Sequence, residues 1–167
     1  PSRAIGLMRL YGTTVNRDPR LLTAFGRDIS LVSEEKYRNF SPPSNLVNFP
    51  QGLENSELEY SGIYEDGYIS EESFFILRQP SSTKKFKIEG LIPYIDQDTF
   101  KTIMILRIDG VDIVKKELGL GKFLVEIPVM PSQSSNRRVE ISFSRAQKLP
   151  GADARISAAK INFLGFN

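Results

Sequence analysis

From about Glu57 onward, apolar and polar residues alternate along the chain. "KKFKIEGL" sets Phe86 and Ile88 against Lys85, Lys87 and Glu89. "KFLVEIPV" puts Phe123, Val125, Ile127 and Val129 on one face, and "RRVEISFS" opposes Val139, Ile141 and Phe143 to Arg138, Glu140 and Ser142. Near the end, Ala159, Ile161 and Phe163 alternate with Lys160 and Asn162. This is the pattern of strands with one face in a core and one in water, as in antiparallel sheets. "TIMILRID" and "SFFIL" are apolar on both faces, which suits central strands. Asp109-Gly110, between "TIMILRI" and "VDIVKKEL", predicts a type I′ hairpin turn, because both central residues need positive φ and Asp and Gly tolerate it. "LGLGK" predicts the next turn and "PSQSSN" a polar loop. Strands spaced by roughly ten residues without helices between them indicate a β-sandwich or a barrel.

The first part of the chain reads differently. In "DPRLLTAF", Asp18 suits an N-cap and Pro19 the first helical position, with Gly26 as a stop. In "SEEKYRNF", Ser33 caps, Glu34 and Glu35 complement the helix dipole, and Pro42-Pro43 ends the helix. "SPPSNLVNFPQ" is loop-like. The spacing therefore predicts an N-terminal arm with short helices over residues 1–55 and a β domain over residues 56–167.

Composition narrows the chemistry. A chain of 167 residues, 40% hydrophobic and 25% charged, suits one domain with an arm. It begins at Pro1, and the expectation is a piece of a larger protein. No apolar run approaches the ~20 residues that span a bilayer, so direct membrane insertion is not expected. A net charge of +2 argues against general nucleic-acid binding, which rests on many phosphate contacts. Histidine and cysteine are both absent, which excludes disulfides, a Ser-His-Asp triad, a Cys-His pair and a His-bearing zinc site. No cofactor is expected, and an oxygen-ligated structural Ca2+ is the metal left open, with Asp96-Gln97-Asp98 resembling the start of a calcium loop.

Two segments stand out. "YSGIYEDGYISEES" repeats tyrosine at Tyr60, Tyr64 and Tyr68, with no basic residue between Leu53 and Glu72. Tyrosine rings beside carboxylates suit a sugar, whose apolar face packs on the ring while acids accept its hydroxyl hydrogens. The competing expectation is that Tyr64 and Tyr68 pack inward and Glu65-Asp66-Gly67 is a turn, with the stretch serving as a hinge between arm and domain. In "FSRAQKLPGADARISAAKINF", Asp153 and Arg155 sit in a long connection that a guanidinium could tie down. Alternatively, Arg145 and Arg155 bind a sugar carboxylate or phosphate. Seven acids in residues 53–72 face four basic residues in 132–148, and Arg155 or Arg145 against Glu65 or Asp66 is the pairing of greatest consequence. Paired carboxylates could in principle hydrolyse a glycan, with Glu65, Asp66, Glu71, Glu72, Asp96 and Asp98 as candidates.

"GIYEDGYISEESFFIL", "ILRIDGVDIVKKELGLGKFLVEIPV" and "FSRAQKLPGADARISAAKINF" together resemble the carbohydrate-binding-module-like jelly-roll domains attached to bacterial glycosyltransferases and other cell-surface glycan proteins. Gly62, Tyr64, Gly67, Tyr68 and Ile69 match that group's opening motif, and Pro150, Gly151, Asp153, Arg155, Ile156 and Ser157 its closing one. The chain departs in having Tyr68 where Trp is the rule, and it has no Trp. The resemblance covers about residues 58–166. It implies an all-β antiparallel jelly-roll β-sandwich behind a short, partly helical N-terminal arm. It also implies a non-catalytic, extracytoplasmic or cell-surface accessory domain that binds a polysaccharide or glycoconjugate beside a catalytic domain of the same parent chain. The ligand-binding residues on this reading are Tyr64, Glu65, Asp66, Tyr68, Arg145, Asp153 and Arg155. A structural or protein-interaction module without a ligand is the alternative.

Overall fold

The computed structural model describes residues 4–11, 25–95, 97–132, 134–153 and 155–167, with the backbone alone for residues 4–11 and 25–32. The chain divides into two compact units, Pro1–Phe40 and Ser41–Asn167.

The first unit is a β-hairpin followed by one helical turn. Strand β1 (Ala4–Tyr11) pairs antiparallel with β2 (Phe25–Ser33), with a bulge between Arg9 and Leu10. Helix α1 (Glu34–Arg38) starts as its sequence predicts: the Ser33 hydroxyl accepts the Lys36 N–H at 3.1 Å, and Glu34 and Glu35 fill the first turn. The helix expected to begin at Asp18 falls mostly in residues outside the described ones, and its proposed stop, Gly26, belongs to β2. A helix cap is written in adjacent residues. The pairing of Ile5 with Val32 or Arg9 with Asp28 depends on partners 27 and 19 residues away, which is why the strands escape a local reading.

The second unit is all-β and antiparallel, as the alternation predicts. Its strands are β3 (Asn45–Leu46), β4 (Tyr60–Ile63), β5 (Tyr68–Arg78), β6 (Lys85–Ile92), β7 (Lys101–Ile108), β8 (Val111–Gly119), β9 (Gly121–Pro128), β10 (Asn136–Phe143), β11 (Gln147–Lys148), β12 (Ile156–Ser157) and β13 (Ala159–Phe166). Seven form one path in the order β8-β7-β10-β5-β13-β6-β9, with β3 added on β13, β4 added on β5, and β11–β12 a separate ribbon. The path begins and ends on consecutive strands, so the sheet curls into a nearly closed barrel whose two edges meet at Leu120. Lys116 lies opposite Met104 on the inner row of edge strand β8, and its Nζ donates to the Leu124 carbonyl of the other edge at 3.4 Å. A lysine there also discourages pairing with a foreign strand.

The inner rows fill the barrel. Phe75, Phe86, Phe166, Ile88, Leu106 and Ile141 are buried, and Phe86 meets Phe166 edge-on at 5.0 Å. Burying each such side chain contributes roughly 1.5–3 kcal/mol. The predicted hairpin at Asp109-Gly110 is present, with φ of 52° and 80°. The last strand departs from its simple alternation. A bulge between Ile161 and Phe163 turns Phe163 to a half-buried outer position under Lys87 and sends Leu164 and Phe166 into the core instead.

The stretch expected to be a hinge is a hairpin inside this second unit. β4 runs antiparallel to β5, the Tyr64 N–H donates to the Tyr68 carbonyl at 2.8 Å, and the Gly67 N–H to the Tyr64 carbonyl at 2.9 Å. Gly67 has φ of 84°, and a Cβ there would lie 2.8 Å from the Ile161 carbonyl oxygen. That carbonyl approaches because the Ile161 N–H donates to the Gly67 carbonyl at 2.8 Å, fastening the turn to β13.

Candidate functional site

The structure gathers five of the sequence-nominated residues at this turn. Arg155 is the hub. Its Nη1 and Nη2 donate to the two Asp66 carboxylate oxygens at 2.9 and 2.7 Å, the bidentate geometry that suits a planar fork. Its Nε lies 3.0 Å from each Asp153 oxygen, and Nη2 reaches Asp153 Oδ2 at 2.7 Å. The guanidinium sits 4.9 Å from the Tyr64 ring centroid and 5.6 Å from that of Tyr68, and Lys160 Nζ also lies over the Tyr68 ring, 5.3 Å from its centroid. Its side chain is 14% exposed.

The charges in this knot answer one another. Partial burial works to raise the Asp66 carboxyl, but hydrogen bonding and attraction from Arg155 outweigh it and hold the group below its ordinary value. The hydrogen bonds of Arg155 lower Asp153 as well, and the two carboxylates push the guanidinium upward. Asp66 sits on the β4–β5 turn, while Asp153 and Arg155 sit on the connection from β10 to β13. The knot therefore clamps a long crossover to a tight turn. The buried Ser157 hydroxyl adds a bond to the Ile69 carbonyl at 3.0 Å.

The other two nominated residues lie apart from this hub. Glu65 is exposed on the turn beside Asp66. Arg145 stacks over Phe100 at 5.1 Å, and its backbone exchanges hydrogen bonds with the Thr102 hydroxyl at 3.0 and 3.1 Å. Asp96 of the calcium-like triplet lies outside the described residues, and among the described residues no three acidic side chains cluster to hold a metal ion.

A second constellation lies on the outer face of the strands β4, β5, β10 and β7. Directly opposed residues share a face, and the register aligns Ser61, Phe74, Glu140 and Arg107 in one row, with Glu72, Ser142 and Ile105 in the next. All of these but Ile105 line, together with Arg138, an open groove of about 360 Å³. The Arg138 guanidinium lies over the Phe74 ring, 4.2 Å from its centroid, and its Nε donates to Glu140 at 3.0 Å. Its Nη groups have no partner among the described residues. Arg107 is held by Asp112 on the neighbouring edge strand. Sequence reasoning saw the polar row of β10 and the two-faced apolarity of "SFFIL" but did not join them. The signal was there: an aromatic on the outer face of a central strand has no core to fill.

No family model, no curated protein and no solved structure matches this chain. Among the described residues, no helix is long and apolar enough to cross a membrane.

Proposed function

We propose that the second unit is a non-catalytic carbohydrate-binding accessory domain that receives a polysaccharide or glycoconjugate in the groove across β4, β5, β10 and β7. The observation that carries this reading is Arg138, held over the Phe74 ring and bonded to the Glu140 carboxylate, with its outer N–H groups uncommitted among the described residues. A preoriented planar donor of this kind matches sugar hydroxyls at little cost in side-chain entropy. Glu72 supplies acceptors, Ser61 and Ser142 supply hydroxyls, and the groove is open enough for a chain to pass.

On this reading the nearly closed sheet is a jelly-roll-like sandwich. β5 supports it: residues 72–78 pair with β10, while Tyr68 and Ile69 pair with β13, so one strand serves both halves. The tyrosines expected to hold the ligand serve the clamp instead, and the ligand face moves to strands that the sequence separates widely. The bacterial cell-surface setting and a catalytic neighbour in the same parent chain follow from the sequence resemblance alone. A structural module without a ligand is the second reading, favoured by the internal satisfaction of the Arg155 knot.

The test is a broad glycan array with the purified chain and its Phe74→Ala and Arg145→Ala variants. Specific signals that Phe74→Ala loses and Arg145→Ala keeps support the groove. Silence across the array rejects the reading in favour of the structural module, and specific signals untouched by Phe74→Ala reject the groove as the place where the glycan binds.

A further inference from the structure

At the far end of the same outer row of β5, four residues beyond Phe74 and about 13 Å along an extended strand, stands Arg78. It borders a cavity of about 290 Å³ between the β5–β6 loop and the β9–β10 loop, whose other walls include Ser81, Ser132, Ser135, Pro80 and Pro131. Among the described residues, the lining carries one positive charge and no carboxylate. The guanidinium of Arg78 and the hydroxyls of Ser81 and Ser135 make no side-chain hydrogen bond or ion pair among the described residues.

The walls are fixed in place. Gln79, 5% exposed, is the pin: its N–H donates to the Ser135 carbonyl at 2.6 Å, and its side-chain amide donates to the carbonyls of Met130 at 3.2 Å and Thr83 at 3.4 Å. Arg137 donates to the Gln79 side-chain oxygen and is itself paired with Asp109, so the loops are braced from beneath by a second guanidinium that is already neutralised. The Val129 N–H closes the base on the Lys84 carbonyl at 2.8 Å. These bonds tie the two serine-bearing loops to one another beside an arginine whose guanidinium is uncommitted among the described residues.

We infer that this cavity is a subsite for a tetrahedral or planar anionic group, a sulfate, phosphate or carboxylate, taken by Arg78 with serine hydroxyls as secondary donors. The inference stands independently of the sheet-face reading. Where both hold, they join: a glycan lying along the outer row of β5 would place an acidic substituent at Arg78, which assigns the ligand to the anionic polysaccharides.

The experiment is an amide NMR titration of the full chain with inorganic sulfate, against sodium chloride at matched ionic strength. Saturable shifts concentrated at Ser81, Ser132 and Ser135, absent in Arg78→Gln, are expected. Shifts equal to the chloride control, or equally large in Arg78→Gln, overturn the subsite. A second arm compares a sulfated oligosaccharide with its unsulfated parent. About tenfold tighter binding of the sulfated form, lost in Arg78→Gln, assigns the anion to a glycan. Equal binding of the two sugars beside a responsive sulfate titration keeps the subsite and assigns it to a free anion. Failure of both sugars with an intact sulfate response counts against the carbohydrate reading alone.

Discussion

The Arg155 knot and the Arg138 groove use the same materials in opposite ways. Each has an arginine lying over an aromatic ring with carboxylates in reach. Arg155 is 14% exposed and commits all three of its side-chain nitrogens to Asp66 and Asp153, whereas Arg138 is 48% exposed and commits only its Nε, to Glu140. The first arrangement fastens one piece of chain to another. The second holds a charged group in place and leaves it available. The difference lies in what each guanidinium has left over.

The comparison breaks most sharply at Arg155. Arg155→Ala leaves two carboxylates facing each other without their cation. A fully buried pair would lose ~3–5 kcal/mol on such a deletion, but Asp66 is 43% exposed and water recovers part of it. A destabilisation of about 2–3 kcal/mol is expected, seen as a Tm lower by roughly 5–10 °C. Arg155→Lys should recover less than half, since an ammonium cannot bridge both acids and stack on the tyrosines. A Tm within a degree of the parent for Arg155→Ala would remove the clamp from the argument. Next in size is Gly67→Ala, which forces a side chain into positive φ and against the Ile161 carbonyl. It should cost about 1–2 kcal/mol and be read in the same melting experiment.

How much of this was readable follows from distance along the chain. The strands β6, β7, β9 and β10, the Asp109-Gly110 turn and the Ser33 cap are each written in a few neighbouring residues. Even the long-range pairing of Arg155 with Asp66 was reachable, because residues 53–72 carry acids and no base, so an arginine brought against them meets a carboxylate. The groove was not reachable. Its row of Ser61, Phe74, Glu140 and Arg107 comes from four strands whose order and register no local pattern states. A bulge such as that before Phe163 hides for the same reason, since one extra residue exchanges inner and outer faces without any change in composition. The tyrosines attracted attention because they are close together in sequence, and closeness in sequence here meant a turn.

Acid should separate the two regions more gently. Asp66 and Asp153 both have folded carboxyls held below their ordinary value of 3.8, so their contribution is complete above that value and is lost below it, as pH falls through the lowered folded values. Tm measured from pH 6 to pH 2 should therefore fall more steeply below about pH 4 for the parent than for Arg155→Ala, which has no clamp to lose. Parallel curves would mean that other carboxylates govern acid unfolding.

The smallest effect is also the most discriminating. Two double-mutant cycles, Asp66→Ala with Arg155→Ala and Glu140→Ala with Arg138→Ala, compare the coupling in each region directly. The exposed Arg138–Glu140 pair should couple by about 0.5 kcal/mol or less, as surface ion pairs do, and Arg138→Ala should leave stability within ~1 kcal/mol even after losing its contact with Phe74. The Asp66–Arg155 pair should couple by roughly 1–2 kcal/mol, because its guanidinium is nearly enclosed and its geometry bidentate. Unequal couplings in that order mean that the fold depends on one arginine and can spare the other for a ligand. Equal couplings would make the groove a second clamp, and Arg138 would then have nothing left to offer a sugar.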